Sequence, residues 1–291
     1  MNSSTIGINA PKVSIVITNF NGIRTLEKCL SRILNSDYPN FNIIVVDNHS
    51  TDGSLELLRG KYPAIKLIMN AENIGFGAAT NLGMRLAFEK FADYVLALNN
   101  DAYLEKNTIS KLLTVAKNNP HAGIISPLIK RPDGSIWFAG GKINWWKMRA
   151  SHKFACSNSH PFASDYICGC AMLISQKVCE KVGLFDERFF LYYEDADLSV
   201  RAKRAGFELL IDPTSSVEHD EQSNNNNSFK TYWLVLSGIL FFKKNTPLFL
   251  KPWMSIYLLL RKVKNSRDRH KNPSEINAIV AKAYTDANEL T

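Results

Sequence analysis

Tyr94-Val95-Leu96-Ala97-Leu98-Asn99-Asn100-Asp101 is five residues of apolar strand running into two amides and a carboxylate. An apolar run of that length, bounded by polar turn residues, predicts a buried strand. In an open α/β sheet the carboxyl ends of the strands are where ligands bind. A carboxylate there can hold Mg²⁺ or Mn²⁺ while substrate phosphates and water complete the shell. Asn and Asp are also the commonest turn residues, so this stretch alone leaves a plain turn open.

The same pattern recurs upstream. Val13 to Thr18 is a continuous apolar strand, followed by Leu26, Cys29, Leu30, Ile33 and Leu34 at the spacing of one helix face. Phe41 to Val46 and Ile65 to Met69 are further strands, each followed by a helical pattern, the last through Ala78, Ala79, Leu82, Leu86 and Ala87. Four strands alternating with three helices predict an α/β fold with a mostly parallel, doubly wound, Rossmann-like sheet. Its strand exits are polar: Thr18-Asn19-Phe20-Asn21, Asp47-Asn48-His49-Ser50 and Asn99-Asn100-Asp101. Three such exits along one edge make a nucleotide-sized cleft. A dinucleotide fingerprint is missing, because the first turn holds only Gly22. Asn73-Ile74-Gly75-Phe76-Gly77 precedes the third helix, where glycine permits close backbone approach to a ligand or simply a helix start.

Beyond a fourth helix at Ile109 to Ala116, strands are expected at Ile124 to Ile129, Ile136 to Ala139, Tyr166 to Ile174 and Glu208 to Ile211. Trp137, Trp145 and Trp146 interrupt this half, as sugar-stacking platforms or as core. Phe185 to Leu198 is the densest mixture of acids and aromatics. Asp197 and Arg201 form an i,i+4 pair, whereas Glu194 and Asp195 follow four aromatics that can desolvate a carboxylate and raise its pKa toward that of a base. His219 falls in an expected loop. Asn224 to Asn227 is a polar run placed as a mobile boundary between a catalytic domain, residues 1–222, and a basic region, residues 223–291.

The 291 residues are 45% apolar and 21% charged, ordinary for a globular protein, with a formal net charge of +8. Nine bases and one acid lie between Lys243 and Lys271, so 9 minus 1 accounts for the whole excess. That asymmetry suits a basic tail on an anionic surface and argues against a whole protein built for nucleic acid. Tyr232 to Phe242 and Leu248 to Leu260 are apolar runs, shorter than the about 20 residues that span a bilayer. With flanking bases they predict interfacial segments, or helices packed on the catalytic domain. Five cysteines without paired spacing predict reduced thiols, and no signal peptide is evident, so a cytoplasmic site, peripheral on the inner face of the membrane, is expected.

The ordered motifs resemble the inverting glycosyltransferases of family 2, particularly rhamnosyltransferase-like members that build surface polysaccharides. The resemblance covers roughly residues 12 to 222. It rests on Val16-Ile17-Thr18-Asn19-Phe20-Asn21, Val45 to Ser54, Asn73 to Asn81, Leu98-Asn99-Asn100-Asp101, and Tyr193-Glu194-Asp195-Ala196-Asp197-Leu198. It implies a GT-A fold, a nucleoside-diphosphate sugar such as dTDP-rhamnose or a UDP-hexose, and a divalent cation, Mn²⁺ or Mg²⁺. It also implies a saccharide or polyprenyl-linked acceptor. Thr18, Phe20 and Asp47 match base- and ribose-binding positions, with Asn73, Gly75, Asn99 and Asn100 completing the donor set. Asp101 matches the metal-binding end of the family's DXD element, His219 a late metal ligand, and Asp195, with Glu194 beside it, the catalytic base. The departure is that DXD reads Asn-Asn-Asp here. The alternative it raises is a catalytically silent nucleotide-sugar-binding protein.

Overall fold

The computed structural model describes residues 10–221, 227–271 and 273–289. Alternating β1 (Val13–Asn19), α1 (Ile23–Leu34), β2 (Phe41–Asp47), α2 (Ser54–Lys61), β3 (Lys66–Met69), α3 (Phe76–Glu89) and β4 (Tyr94–Asn99) form the first half. Strands β3, β2, β1 and β4 are parallel neighbours in that order. Val13, Ile15, Val16 and Ile17 are all fully buried, as are Val95, Leu96 and Ala97, because helices cover both faces of the sheet. That is why these strands read as continuous apolar runs and do not alternate.

The second half extends the same sheet with mixed directions. After β5 (Ala102–Leu104) and α4 (Thr108–Asn118) come β6 (Ala122–Lys130), β7 (Ile136–Phe138), a hairpin of β8 (Gly141–Asn144) and β9 (Arg149–His152), and β10 (Phe162–Ala163). Then follow β11 (Ala171–Ser175), α5 (Gln176–Val182), α6 (Glu194–Arg204) and β12 (Glu208–His219). Strand β11 inserts antiparallel between β4 and β6, and β12 runs parallel to β6.

Two strand expectations change. Only Ala171–Ser175 of the expected Tyr166 to Ile174 strand pairs. The residues before it give their backbone donors to side chains of α6: Ile167 N–H to Ser199 Oγ at 3.0 Å, and Gly169 N–H to Asp195 Oδ2 at 2.9 Å. Conversely, the short strand at Glu208 continues to His219, through an irregularity between Asp212 and Ser216 where Asp212 Oδ1 caps the Thr214 N–H at 3.0 Å. Pro213 and its polar neighbours hide this continuation in the sequence. His219 is therefore a strand residue, 5% exposed, and not a loop residue. The polar run at Asn224 to Asn227 lies, except for Asn227, outside the described residues.

Three helices end the chain: α7 (Asn227–Asn245), α8 (Lys251–Lys271) and α9 (Glu275–Glu289). The Tyr232 to Phe242 run does not lie free as an interfacial segment, since Leu236, Ile239, Leu240, Phe241 and Phe242 join the main hydrophobic core. At the end of α7, Asn245 donates to the fully buried Asp197 at 2.8 Å, and Lys244 Nζ lies 2.7 Å from both Asp197 and Asp186. Arg201 closes the same cluster at 2.7 Å from Asp197. Asp197 thus ties α6 to α7. Asp197→Ala leaves two cations facing an empty buried acceptor and is expected to cost about 3 kcal/mol, the lower end for breaking a buried pair whose cations keep some solvent. Urea unfolding checks this, and an unchanged midpoint contradicts it.

Candidate active site

A pocket of about 670 Å³ opens at the carboxyl ends of β1 and β4. Of the residues singled out from sequence, Phe20, Asn99, Asp101, Glu194, Asp195 and His219 line it. Phe20 is 48% exposed, an aromatic face without a partner in the core. Thr18, Asp47, Asn73, Gly75 and Asn100 lie outside that lining and form the polar layer at the strand exits.

That layer is a closed hydrogen-bond network. Asn19 donates to Asp47 Oδ2 at 2.9 Å and accepts from Asn100 at 2.8 Å, while Asp47 Oδ1 accepts the Ser50 N–H at 2.9 Å. The parallel register sets Asn19 beside Asp47 and Thr18 beside Asn99, which brings the exits together. Thr18 pairs with Thr80 at 2.9 Å, and Asn73 Oδ1 accepts from Asn48 at 2.7 Å. Gly75 sits at φ 88°, where a Cβ would lie 2.4 Å from the Phe190 carbonyl oxygen. Its close approach is to this chain's own backbone, and Phe76 N–H donates to that same carbonyl at 2.9 Å.

Asp101 and His219 are 118 residues apart and adjacent in space. Antiparallel pairing of β5 with β12 sets His219 opposite Ala102, and His219 Nε2 lies 3.2 Å from Asp101 Oδ1. Asp101 Oδ1 and His219 Nδ1 are buried without a hydrogen-bond partner. Buried polar atoms without partners are costly and rare, so an unpaired oxygen beside an imidazole fits a bound cation. No group of three or more His, Cys, Asp or Glu arranged to hold a metal ion occurs among the described residues. Asp101 and His219 are the two groups here that could hold a cation, with the rest of its shell left to a bound ligand and water.

The carboxylates of α6 are delivered by an unusual turn. Tyr192 and Tyr193 have φ of 67° and 65°, left-handed values that cost a non-glycine residue about 1–2 kcal/mol each. Helix α7 braces this turn: Tyr193 packs on Phe241 with ring centroids 5.2 Å apart, Phe190 stacks on Trp233 at 4.4 Å, and Ser237 donates to the Leu191 carbonyl at 2.7 Å. Both tyrosines line the pocket.

Asp195 Oδ2 accepts the Gly169 N–H at 2.9 Å and Oδ1 accepts the Ala196 N–H at 2.7 Å. Burial raises its pKa above the usual carboxylate value, and these two donors restrain the rise. Glu194 is pushed well above its usual value by burial first and by the Asp195 charge second, with Oε2 buried and unpartnered. The two carboxyls interact and burial raises both, while the Gly169 and Ala196 backbone donors favour the ionised form of Asp195. Asp197, fully buried in its ion-pair cluster, does not reach the pocket.

Sequence reasoning missed His152, Tyr166, Tyr192 and Glu221, all in the pocket wall. Burial lowers His152 to about 4, so it is neutral at pH 7. Nothing in its neighbourhood in sequence marks it. The tryptophans divide three ways: Trp137 lines the pocket with its edge on His219 at 4.7 Å, Trp145 stacks on Phe241 at 5.9 Å, and Trp146 is 61% exposed. All five cysteines are free, and burial raises the Cys168 and Cys170 thiols well above their usual value, which disfavours the thiolate form.

Comparison with known proteins agrees with this architecture. The profile of the family described as "Glycosyl transferase family 2" matches residues 14–183, more than half the chain. The N-acetylglucosaminyl-diphospho-decaprenol L-rhamnosyltransferase of Mycobacterium tuberculosis is 27% identical over 220 residues, 67% of this chain and 71% of that protein. The dTDP-rhamnosyl transferase RfbF of Shigella flexneri is 23% identical over 254 residues, 84% of each. Among solved structures, GalNAc-T7 with UDP, GalNAc and Mn²⁺ superposes with a TM-score of 0.66 at 18% identity, over 97% of this chain and 55% of that one. A mannosyltransferase from Pyrobaculum calidifontis in complex with GDP-Man and Mn²⁺ gives a TM-score of 0.62 at 17% identity, over 97% of this chain and 81% of that one. These structural neighbours show a GT-A fold.

Proposed function

The chain belongs to glycosyl transferase family 2, and on that premise we propose that it is an inverting transferase moving a sugar from a nucleoside diphosphate to an acceptor hydroxyl. The observation that carries this reading is one pocket lined both by Asp195, held ionisable at a helix start, and by the Asp101–His219 pair. The acceptor oxygen attacks the anomeric carbon, the bond from that carbon to the diphosphate oxygen breaks, and Asp195 takes the hydroxyl proton. This is the base logic of an inverting glycosidase, with an alcohol in place of water. Asp101 and His219 would hold Mn²⁺ or Mg²⁺, which would supply Lewis-acid neutralisation of the charge on the departing diphosphate. Phe20 offers a face to the nucleobase, and the Asn19–Asp47–Asn100 network holds the strand exits in register beneath it.

Likeness to two rhamnosyltransferases favours dTDP-rhamnose as donor, with a UDP-hexose second, and a saccharide or polyprenyl-linked saccharide as acceptor in cell-surface polysaccharide synthesis. Residues 1–222 then form the catalytic part and residues 223–291 a helical region that braces it and brings it to the inner face of the membrane. A thermal-shift panel of nucleotide sugars with Mn²⁺ tests the donor. A true donor at ~100 times its dissociation constant adds about 2.7 kcal/mol of stability. Donor stabilisation without turnover on any acceptor or on water would instead identify a silent sugar-nucleotide binder. The absence of any shift across the panel removes both readings.

A further inference from the structure

Helix α8 has two opposite faces, and the fold uses one. Met254, Leu258, Arg261 and Asn265 recur every three to four residues on one side. Met254 is buried, Leu258 packs against the core, and Tyr284 of α9 hydrogen-bonds the Arg261 and Asn265 side chains. Ile256, Leu259, Leu260 and Val263 occupy the other side and are 42–61% exposed. The turn before the helix adds Leu248 and Phe249, 81% and 78% exposed.

The catalytic part contributes to the same face. Trp146, in the turn between β8 and β9, lies with its ring centroid 6.4 Å from that of Trp253, whose indole N–H donates to the Trp146 carbonyl at 2.9 Å. Strand β9 of that hairpin supplies Ala150, Ser151 and His152 to the pocket wall. One hairpin therefore reaches from the pocket to the exposed apolar face.

Charge identifies what covers it. Seven lysines and arginines lie between Lys251 and Lys271, all exposed, against the single acid Asp268, a net of 7 minus 1. No salt bridge among the described residues involves any of the seven. A symmetric contact with a second copy would set this charge against itself. A polynucleotide would satisfy the bases and leave the aliphatic side chains in water. No helix among the described residues is long and apolar enough to cross a membrane. Bases beside exposed aliphatics and a tryptophan pair match the layered chemistry of a headgroup region over acyl chains.

We infer that the outer face of α8, with the preceding turn and Trp146, docks on an anionic phospholipid surface. Docking sets the pocket hairpin at the membrane, where a lipid-linked acceptor diphosphate lies; that consequence, unlike the docking, rests on the transferase reading above.

Flotation of the full chain with phosphatidylglycerol-containing and with pure phosphatidylcholine vesicles tests the inference. Binding is expected only to the anionic vesicles and is expected to fall with salt. Each base near such a surface strengthens partitioning about fivefold, so Lys262→Gln/Lys264→Gln/Arg267→Gln is expected to weaken it on the order of 100-fold. Ile256→Ser/Leu260→Ser is expected to weaken it at least ~10-fold with an unchanged thermal midpoint, since both side chains are exposed. Equal binding to the two vesicle types, or an unaffected triple variant, overturns the docking. So does a dimer that the Ile256→Ser/Leu260→Ser variant dissolves while vesicle binding is unchanged. Donor stabilisation is measured without vesicles, so the two readings fail separately: vesicle binding without donor binding keeps the docking and removes the transferase.

Discussion

Asp195→Asn is expected to lower sugar transfer by ~10² to 10⁴ while donor binding is retained, the range for loss of a positioned general base. Among the three acids of this helix start, geometry separates the roles. Asp197 is fully buried in its cluster with Arg201 and Lys244. Glu194 is 5% exposed, and burial first and the Asp195 charge second push its pKa well above the usual value. Asp195 alone of the three combines access to the pocket with two backbone donors that favour its ionised form. Glu194→Gln, which keeps the shape of a buried group whose Oε2 has no hydrogen-bond partner, is expected to change transfer far less.

The pH dependence follows with its sign. Asp195 accepts a proton only when ionised, and burial raises its pKa. The acid limb of the kcat profile is therefore expected above the usual carboxylate range, with transfer lost as pH falls through it. Asp195→Asn removes that limb. Normal transfer by Asp195→Asn together with loss in Glu194→Gln would move the base to Glu194.

Asp101→Ala is expected to abolish metal-dependent donor binding, read as Mn²⁺ and nucleotide titrated together by calorimetry. Asp101 is the carboxylate at the exit of β4, and the two positions before it are amides. Asn100 is already committed to Asn19 and the Asn99 side chain is a neutral amide, so neither replaces a charged ligand. A cation held there would contribute several kcal/mol of charge stabilisation, on the order of 10²-fold or more in rate. His219→Gln keeps the carboxylate and is expected to weaken Mn²⁺ less than Asp101→Ala does. Unchanged Mn²⁺ and donor affinity in Asp101→Ala would make Asp101 a turn residue.

Local periodicity by itself determined the α/β alternation of the first hundred residues, because a strand buried on both faces must be an unbroken apolar run and its covering helix must repeat every three to four residues. It also determined that Asn19, Asp47 and Asn99 end strands, and that Glu194 and Asp195 follow an aromatic segment. Tertiary structure decided which of these reach the pocket. His219 meets Asp101 only because β12 continues past Pro213 to pair with β5, a contact across 118 residues that no local pattern carries. Asp47 and Gly75 read like ligand residues, and tertiary structure sets Asp47 against Asn19 and Ser50 and Gly75 against the Phe190 carbonyl. The two apolar runs of the C-terminal region look alike in sequence. The Tyr232 to Phe242 run meets the strained Tyr192–Tyr193 turn and is buried, whereas the aliphatic side chains on the outer face of α8 stay exposed among the described residues, and burial depends on the partner and not on the run.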